Sequence, residues 1–340
     1  MMIIRPVQID DIDALISLAN KAGPGVTSFQ PNKRMLTERV TRCLNTLNGT
    51  AELADQCYLF VLEESETGAV VGISGIEVAV GLNDPWYNFR IDSITHISHG
   101  LGISQQVDAL FLSNDHTGHS EVCTLFLDPE WRHSRNGQLL SKSRFLFLAP
   151  FKARFARKIV AEMRGISDDQ GVSPFWDGIG NHFFKMDFSK ADYLTGIGEK
   201  TFIAELMPRF PVYIATLPTS AQQAIGKVHA QTAPARAMLE SEGFRYEGYV
   251  DIFDGGATLE AYVSELRIVR ESNWYQIEVV SNLESGDIPF LVSNGKDKQF
   301  RAILAYAHEP LNGLFMLTPN QVAALNLQPE DHIFAVKLYK

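Results

Sequence analysis

Cysteine is scarce. Cys43, Cys57 and Cys123 are the only three in 340 residues. Their odd number and wide spacing exclude a disulfide framework and a cysteine-based zinc motif. Long apolar runs are missing too. The longest mostly apolar stretch, Phe145 to Phe151, contains Pro150 and falls well short of the roughly 20 residues a membrane span needs. The start, Met1-Met2-Ile3-Ile4-Arg5-Pro6, lacks the apolar centre of a signal peptide. These absences predict a reduced, soluble, cytoplasmic chain with no membrane partner. A basic surplus is also lacking: 30 Lys+Arg stand against 40 Asp+Glu, a net charge of −10. No nucleic-acid partner is expected from that balance. The one modest basic cluster, between Arg132 and Arg164, suits a small polyanion such as a coenzyme phosphate better than a duplex.

What is present is ordinary globular usage, 45% hydrophobic and 21% charged. This excludes a disordered, collagen-like or coiled-coil chain. At roughly 150 residues per domain, the length predicts two domains or three.

Met2 to Val7 reads as a first strand. Asp10 and Asp11 suit a helix start, and Ile12, Leu15, Leu18, Ala19 and Ala22 follow at helical spacing until Gly23-Pro24-Gly25 stops them. A polar helix is expected from Pro31 to Leu47. Tyr58–Leu62 and Val70–Ile76 form a hairpin across the turn-rich Glu63 to Gly68. The thirty or so residues after Asn83-Asp84-Pro85 show no decisive period. Glu121 to Leu127 is a strong strand, followed by a polar loop, a helix from Gly137 to Ala149 and a strand from Lys158 to Arg164.

Ser173-Pro174 opens a short helix that Gly180 is expected to end, with Phe183-Phe184 then starting a strand. Thr232-Ala233-Pro234 opens a helix to Glu242, stopped by Gly243 and followed by strand at Phe244–Tyr246 and Tyr249–Phe253. The shared order of capped helix, glycine and aromatic strand suggests a weak internal repeat. From Trp274 the chain turns to short strands, with a capping box at Thr318-Pro319-Asn320-Gln321 and a closing strand from Ile333 to Leu338. The expected fold class is therefore mixed α/β (α+β), with helices flanking the sheet and a small, mostly β, barrel-like module at the C-terminus. The expected divisions are 1–190, 191–272 and 273–340.

The segment richest in chemistry is Leu125-Phe126-Leu127-Asp128-Pro129-Glu130-Trp131-Arg132-His133-Ser134-Arg135-Asn136-Gly137-Gln138. A strand there runs into a polar loop that opens a helix. Backbone N–H groups at a helix start favour a phosphate, and Arg132 and Arg135 add charged donors. The segment resembles the acyl-coenzyme A loop of GCN5-related N-acetyltransferases. Arg132 and Gly137 match the first and last positions of that loop, while Arg135 stands where glycine is usual. Either the loop takes another shape there, since a non-glycine residue resists positive φ, or Arg135 itself reaches a phosphate.

Longer strings narrow the resemblance. Asn83 to Tyr87, Ser113 to Gly118, Ser141 to Arg144, Val160 to Gly165, Phe202 to Pro208, Gln231 to Arg236 and Asp251 to Gly256 together resemble the arginine N-succinyltransferase family. The likeness runs from the N-terminus to about residue 270 and continues more loosely beyond. It implies an acetyltransferase-like mixed sheet with an acyl-CoA-binding first segment, an elaborated second half completing the active site, and the small C-terminal module. It implies transfer of succinyl from succinyl-CoA to the α-amine of L-arginine, the first step of a succinyl-dependent arginine catabolism, by direct amine attack. It also implies a homo-oligomer or a homologous second subunit as a partner. Three other readings stay open: an ornithine or dual-specificity acyltransferase, a non-catalytic acyl-CoA-binding subunit, and a metal-dependent hydrolase.

The resemblance points to His229 as proton donor and to the strand at Leu125, Phe126 and Leu127 as the thioester platform. It makes Arg132, Arg135, Asn136, Gly137 and Gln138 the phosphate loop. From the residues alone His229 is either a packing histidine near a helix start or a proton carrier, since imidazole titrates near neutral pH. The Leu125 side chain reads as core, so that only its backbone would serve, as an oxyanion donor. Cys123, inside an apolar strand, reads as an inert thiol rather than an acyl carrier. His96 and His99, and His116 and His119, have an i, i+3 spacing but no evident third ligand, so no metal is expected. Asp115 and His116 are placed near the arginine pocket by the resemblance. Asp84, Asp92, Asp115, Glu162 and Glu205 are candidate partners for the guanidinium, and Arg90 and Arg164 for the succinyl carboxylate.

Overall fold

The computed structural model describes residues 1–339 except 23–25, 169, 200, 282–287 and 329. β1 (Met2–Pro6) leads through one 3-10 turn into α1 (Ile12–Ala22), and α2 (Lys33–Asn48) follows. Asn32 caps α2 by accepting the Met35 N–H, and Gly49 at φ +75° ends it. The expected stop of α1 at Gly23-Pro24-Gly25 lies outside the described residues. Next come β2 (Cys57–Glu64), β3 (Val70–Glu77), β4 (Asn88–Ser98), β5 (Ile103–Ser113), β6 (Ser120–Leu127), α3 (Asn136–Leu148) and β7 (Lys158–Glu162). A run of short helices follows: α4 (Pro174–Gly178), α5 (Gly180–Phe184), α6 (Phe188–Gly196) and α7 (Thr201–Leu206). Then come β8 (Val212–Tyr213), α8 (Thr219–Ala224), α9 (Ala233–Glu242), β9 (Arg245–Asp251), β10 (Ala257–Tyr262) and α10 (Arg267–Glu271). The chain closes with β11 (Asn273–Val279), β12 (Ile288–Ser293), β13 (Ala302–Ala307), β14 (Leu314–Leu317), α11 (Pro319–Ala324) and β15 (His332–Lys337).

The strands join in the order β14-β11-β15-β12-β13-β1-β2-β3-β6-β7-β10-β9-β4-β5-β8. The last segment meets the rest through the Ile4–Ala302 pair between β1 and β13. Helices α1 and α2 bury Leu15, Leu18, Leu36 and Val40 against one face of the β2–β3–β6 region. Helix α3 packs on the other, with Leu139, Leu140, Phe145, Leu146, Phe147 and Leu148 all buried. A helix apolar all round must be covered all round, and α3 is covered by the sheet, α9, α10 and the C-terminal strands.

Two sequence expectations need correction. Gly180 does not end a helix; it opens α5, and Phe183-Phe184 lies in that helix rather than in a strand. A Cβ at Gly180 would sit 2.2 Å from the Trp176 ring, so the glycine serves close approach, and Trp176 stacks on Phe184 at 5.1 Å. The supposed repeat therefore fails, because only the second copy, Gly243 into β9, leads from glycine to strand. The stretch without a decisive period holds the hairpin β4–β5, paired over eleven positions. Much of it, from Asp92 to Asp108, is exposed or half-buried on both faces, which removes the alternation that would mark a strand.

Candidate active site

β6 is the element that builds the site. It runs antiparallel to β3, and parallel to β7 through two register pairs only, Ser120–Ile159 and Glu121–Val160. Past Glu121 the two parallel strands part. The opening becomes a cavity of about 250 Å³, with Val122 to Phe126 on one wall and Ala161 to Arg164 on the other. On the β3 side, Ile73 pairs with Phe126 and Gly75 with Cys123, so Ser74 alone opposes Thr124 and Leu125. This is a β-bulge, a device that re-aims a strand. Thr124 takes the left-handed conformation at φ +53° although it is β-branched and buried, which is strained backbone held by its surroundings. Its Oγ1 donates to Ser28 Oγ at 3.0 Å. Leu125 has no register partner in β3 or β7.

A second cavity, of about 400 Å³, adjoins the first. The two share Thr27, Ser28, Glu121, Cys123, Glu162, Asp251 and Phe253 as lining residues. The second is acidic: Glu38, Asp55, Glu77 and Asp84 line it with the shared Glu121, Glu162 and Asp251. Of these, Glu77 is already paired with Arg39 at 3.1 Å and Arg42 at 2.7 Å. Burial, with Asp251 nearby, pushes the Glu162 carboxyl well above the usual range. The same two causes push Asp254 up, and burial raises Asp251. Asp251 caps its own turn by accepting the Phe253 and Asp254 N–H groups. Asp254 accepts those of Gly165 and Gly256. A cationic ligand at this junction would lower the energy of the crowded carboxylates.

The loop after β6 turns back on the strand. Arg132 Nε donates to the Leu127 carbonyl at 3.1 Å, its guanidinium lies 5.9 Å from the Phe126 ring, and it lines the first cavity. Asn136 is buried, donating to the Trp131 carbonyl at 3.1 Å. A Cβ at Gly137 would meet only Leu127 Cδ2, at 3.8 Å, leaving the space around that residue open. Arg135 holds φ +65°, the left-handed conformation that glycine adopts most readily. Its side chain anchors that turn: Nη1 donates to Tyr306 Oη at 2.8 Å, and the guanidinium lies 5.6 Å from the Tyr306 ring and 5.4 Å from that of Tyr339. Tyr339 in turn donates to Gln138 Oε1 at 2.6 Å.

His229 precedes α9. Its N–H donates to the Arg164 carbonyl at 2.9 Å, which fixes the loop to the end of β7. Its Nδ1 accepts the Gln231 N–H at 3.2 Å. A ring nitrogen that accepts leaves the proton on the other, Nε2, in the neutral ring. Gln231 and Thr232 line the first cavity. The structure thus gathers Leu125, Phe126 and Arg132 on the cavity wall. It sets His229 beside that wall and Arg135 to Gln138 in the first turn of α3.

Residues 2–268 match the family model described as arginine N-succinyltransferase beta subunit. The chain belongs to the arginine N-succinyltransferase family. The chain is 50% identical over 341 residues to an arginine N-succinyltransferase of Yersinia enterocolitica, covering all of this chain and 98% of that one. It is 51% identical over 339 residues to one of Escherichia coli, covering 99% of this chain and 98% of that one. Among solved structures, the arginine/ornithine succinyltransferase subunit AI from Pseudomonas aeruginosa superposes with a TM-score of 0.93 at 31% identity, covering 100% of this chain and 99% of that one.

The remaining candidates divide, some lining the two cavities and others lying away from them. Glu162 and Arg164 reach the first cavity and Asp84 the second. Asp115 and His116 line neither cavity. Asp115 pairs with Arg90 at 3.1 Å, and Arg90 with Asp92 at 3.2 Å. His116 is 1% exposed between Asn88 Oδ1 at 2.7 Å and Glu260 Oε1 at 2.5 Å. Asn88 also donates to Glu162 Oε1 at 2.8 Å, so this network supports the site from behind. Glu205 is exposed on α7. Among the described residues no three His, Cys, Asp or Glu side chains are grouped to hold a metal, and no helix is long and apolar enough to cross a membrane. Sequence reasoning missed Glu121, Arg144 and the role of Asp251 and Asp254. The one available signal was the polar run Ser141-Lys142-Ser143-Arg144 inside an otherwise apolar helix.

Proposed function

We propose that this chain transfers the succinyl group of succinyl-CoA to the α-amine of L-arginine, releasing CoA and N2-succinyl-L-arginine. The observation that carries this reading is the parting of β6 from β7 past Glu121, with the Thr124–Leu125 bulge beyond it, in a member of this family, with an acidic cavity adjoining the gap. The pantetheine arm would lie along Leu125 and Phe126, and the coenzyme phosphates at Arg132 and the turn Arg135 to Gln138. The carboxylates of the second cavity suit a cationic amino acid. The two substrates then meet at the shared wall, and holding them there supplies much of the rate.

The neutral amine attacks the thioester carbonyl, and charge develops on its oxygen. The backbone N–H of Leu125, outside both ladders, is the proposed donor to that oxygen. Collapse breaks the C–S bond. His229 Nε2–H gives its proton to the departing sulfur, and the proton released by the amine nitrogen restores the ring. The glycine missing at Arg135 favoured a non-catalytic subunit; the retained φ +65° of that residue removes this objection to turnover.

A covalent route through Cys123 is disfavoured, because burial pushes its thiol up to about 12 and the thiolate is the nucleophile. Initial rates with both substrates varied should give the intersecting pattern of a ternary complex. Cys123→Ala should stay within about tenfold of wild type, where loss of an obligatory nucleophile costs on the order of 10⁶-fold. Parallel lines together with a dead Cys123→Ala variant would replace direct attack by an acyl-enzyme.

A further inference from the structure

The other buried arginines among the described residues sit against carboxylates: Arg5 pairs with Asp11 at 2.8 Å and Glu63 at 2.6 Å, and Arg267 with Glu242 at 2.8 Å, while the half-buried Arg39 pairs with Glu77 at 3.1 Å. Arg144 is the exception. It is 2% exposed, projects from the middle of α3 and lines the first cavity beside Cys123 and Leu125. Its partners are all neutral: Nε donates to the Ser141 carbonyl at 2.9 Å, Nη2 to Ser141 Oγ at 2.9 Å and Nη1 to the Cys123 carbonyl at 3.3 Å. No ion pair joins it among the described residues.

A guanidinium has five N–H donors. Three are committed, so one remains on Nη1 and one on Nη2. Donors of this kind bind carboxylates strongly. A buried cation without a contacting counter-ion is costly; burial pulls the Arg144 group down to about 10, with the charge of Glu121, which lines the same cavity, opposing part of that fall, so the group is still protonated at neutral pH. The other two cations of the cavity are placed differently. Arg132 is exposed at the loop, and Arg164 donates to Ser167 Oγ at 3.1 Å at the end of β7.

We infer that Arg144 is the receptor for the terminal carboxylate of the acyl group, and so selects a succinyl chain over a neutral one. The inference rests on the succinyl-transfer reading and names the residue that gives that reading its acyl specificity. The ligand supplies the contacting carboxylate that Arg144 lacks, and Ser141 holds the guanidinium in position.

The test compares succinyl-CoA with butyryl-CoA, a neutral acyl chain of the same carbon count, using arginine as acceptor. Wild type should prefer succinyl-CoA by about 10²- to 10⁴-fold in kcat/KM, because a site built for a polar group is left unpaired by the analogue without it. Arg144→Gln should lower kcat/KM for succinyl-CoA by about 100-fold or more and leave that for butyryl-CoA within a fewfold, so that the preference collapses. Ser141→Ala, a small change that keeps the cation, should raise the KM for succinyl-CoA about tenfold and leave butyryl-CoA unaffected. It decides the matter if Arg144→Gln does not fold. Equal losses for both acyl-CoAs would make Arg144 a structural residue and overturn the assignment. So would an intact preference in both variants, or a collapse in Arg164→Gln instead. Wild type that turns over neither acyl-CoA would overturn the transfer reading itself, a result distinct from turnover without discrimination.

Discussion

His229→Ala is expected to lower kcat by about 10²- to 10⁴-fold, the usual worth of a positioned acid–base group, while CoA binds as in wild type. The expectation follows from how the loop holds the ring. The His229 N–H is tied to the Arg164 carbonyl, and Nδ1 accepts the Gln231 N–H, so in the neutral ring the proton is carried by Nε2. Cavity residues Gln231 and Thr232 follow directly; alanine loses the Gln231 N–H bond to the ring but keeps the backbone bonds of residue 229 to the Arg164 carbonyl and the Thr232 N–H. Steady-state kcat together with calorimetric binding of CoA checks this. A variant with unchanged kcat, or one whose whole loss is in CoA affinity, would remove His229 from the chemistry.

The second large effect concerns stability. Glu242, at the end of α9, is fully buried and accepts from Lys142 Nζ at 2.8 Å and Arg267 Nη2 at 2.8 Å, and from the Ile268 N–H at 3.2 Å. The two cations also reach the Leu338 carbonyl, at 3.1 Å and 3.2 Å. One carboxylate thus ties α3 and α10 to the last strand. Glu242→Ala leaves the buried Lys142 without its counter-ion and Arg267 with only the more exposed Glu271, at 3.2 Å, and is expected to cost about 3–5 kcal/mol, read as a lowered midpoint in urea. Glu242→Gln, which keeps an acceptor, should cost less. A loss below about 1 kcal/mol for the alanine variant would mean that solvent reaches the cluster. Because Tyr306 and Tyr339 hold Arg135 and Gln138, loosening the C-terminal segment should also weaken CoA binding. The segment thereby holds the turn proposed to take the coenzyme phosphates.

The parts legible in the sequence were those written locally. β6, its loop and α3 follow from an apolar strand, a polar break and a helix start, and the family strings fixed their meaning. Long-range arrangements left no local trace. The bulge at Thr124 depends on β3 opposing it one residue short, and Thr124 itself is a poor candidate for positive φ. Arg144 and Glu242 look like surface charges until distant elements close over them. The acidic junction needs β6, β7 and the turn after β9 brought together, and only Asp251 and Asp254 of its carboxylates are close in the sequence. Gly180 shows the reverse error: a local stop signal that tertiary packing against Trp176 put to another use.

The measurement closest to the central claim is release of CoA thiol from succinyl-CoA by the purified chain, with arginine, ornithine, lysine or no amine, and mass analysis of the product. The account predicts arginine-dependent release and a product carrying succinyl on the α-nitrogen. The ornithine arm sets this chain against the arginine/ornithine enzyme it resembles from Pseudomonas aeruginosa. Tight binding of succinyl-CoA with no release in the presence of any amine would contradict the account and leave an acyl-CoA-binding subunit in its place.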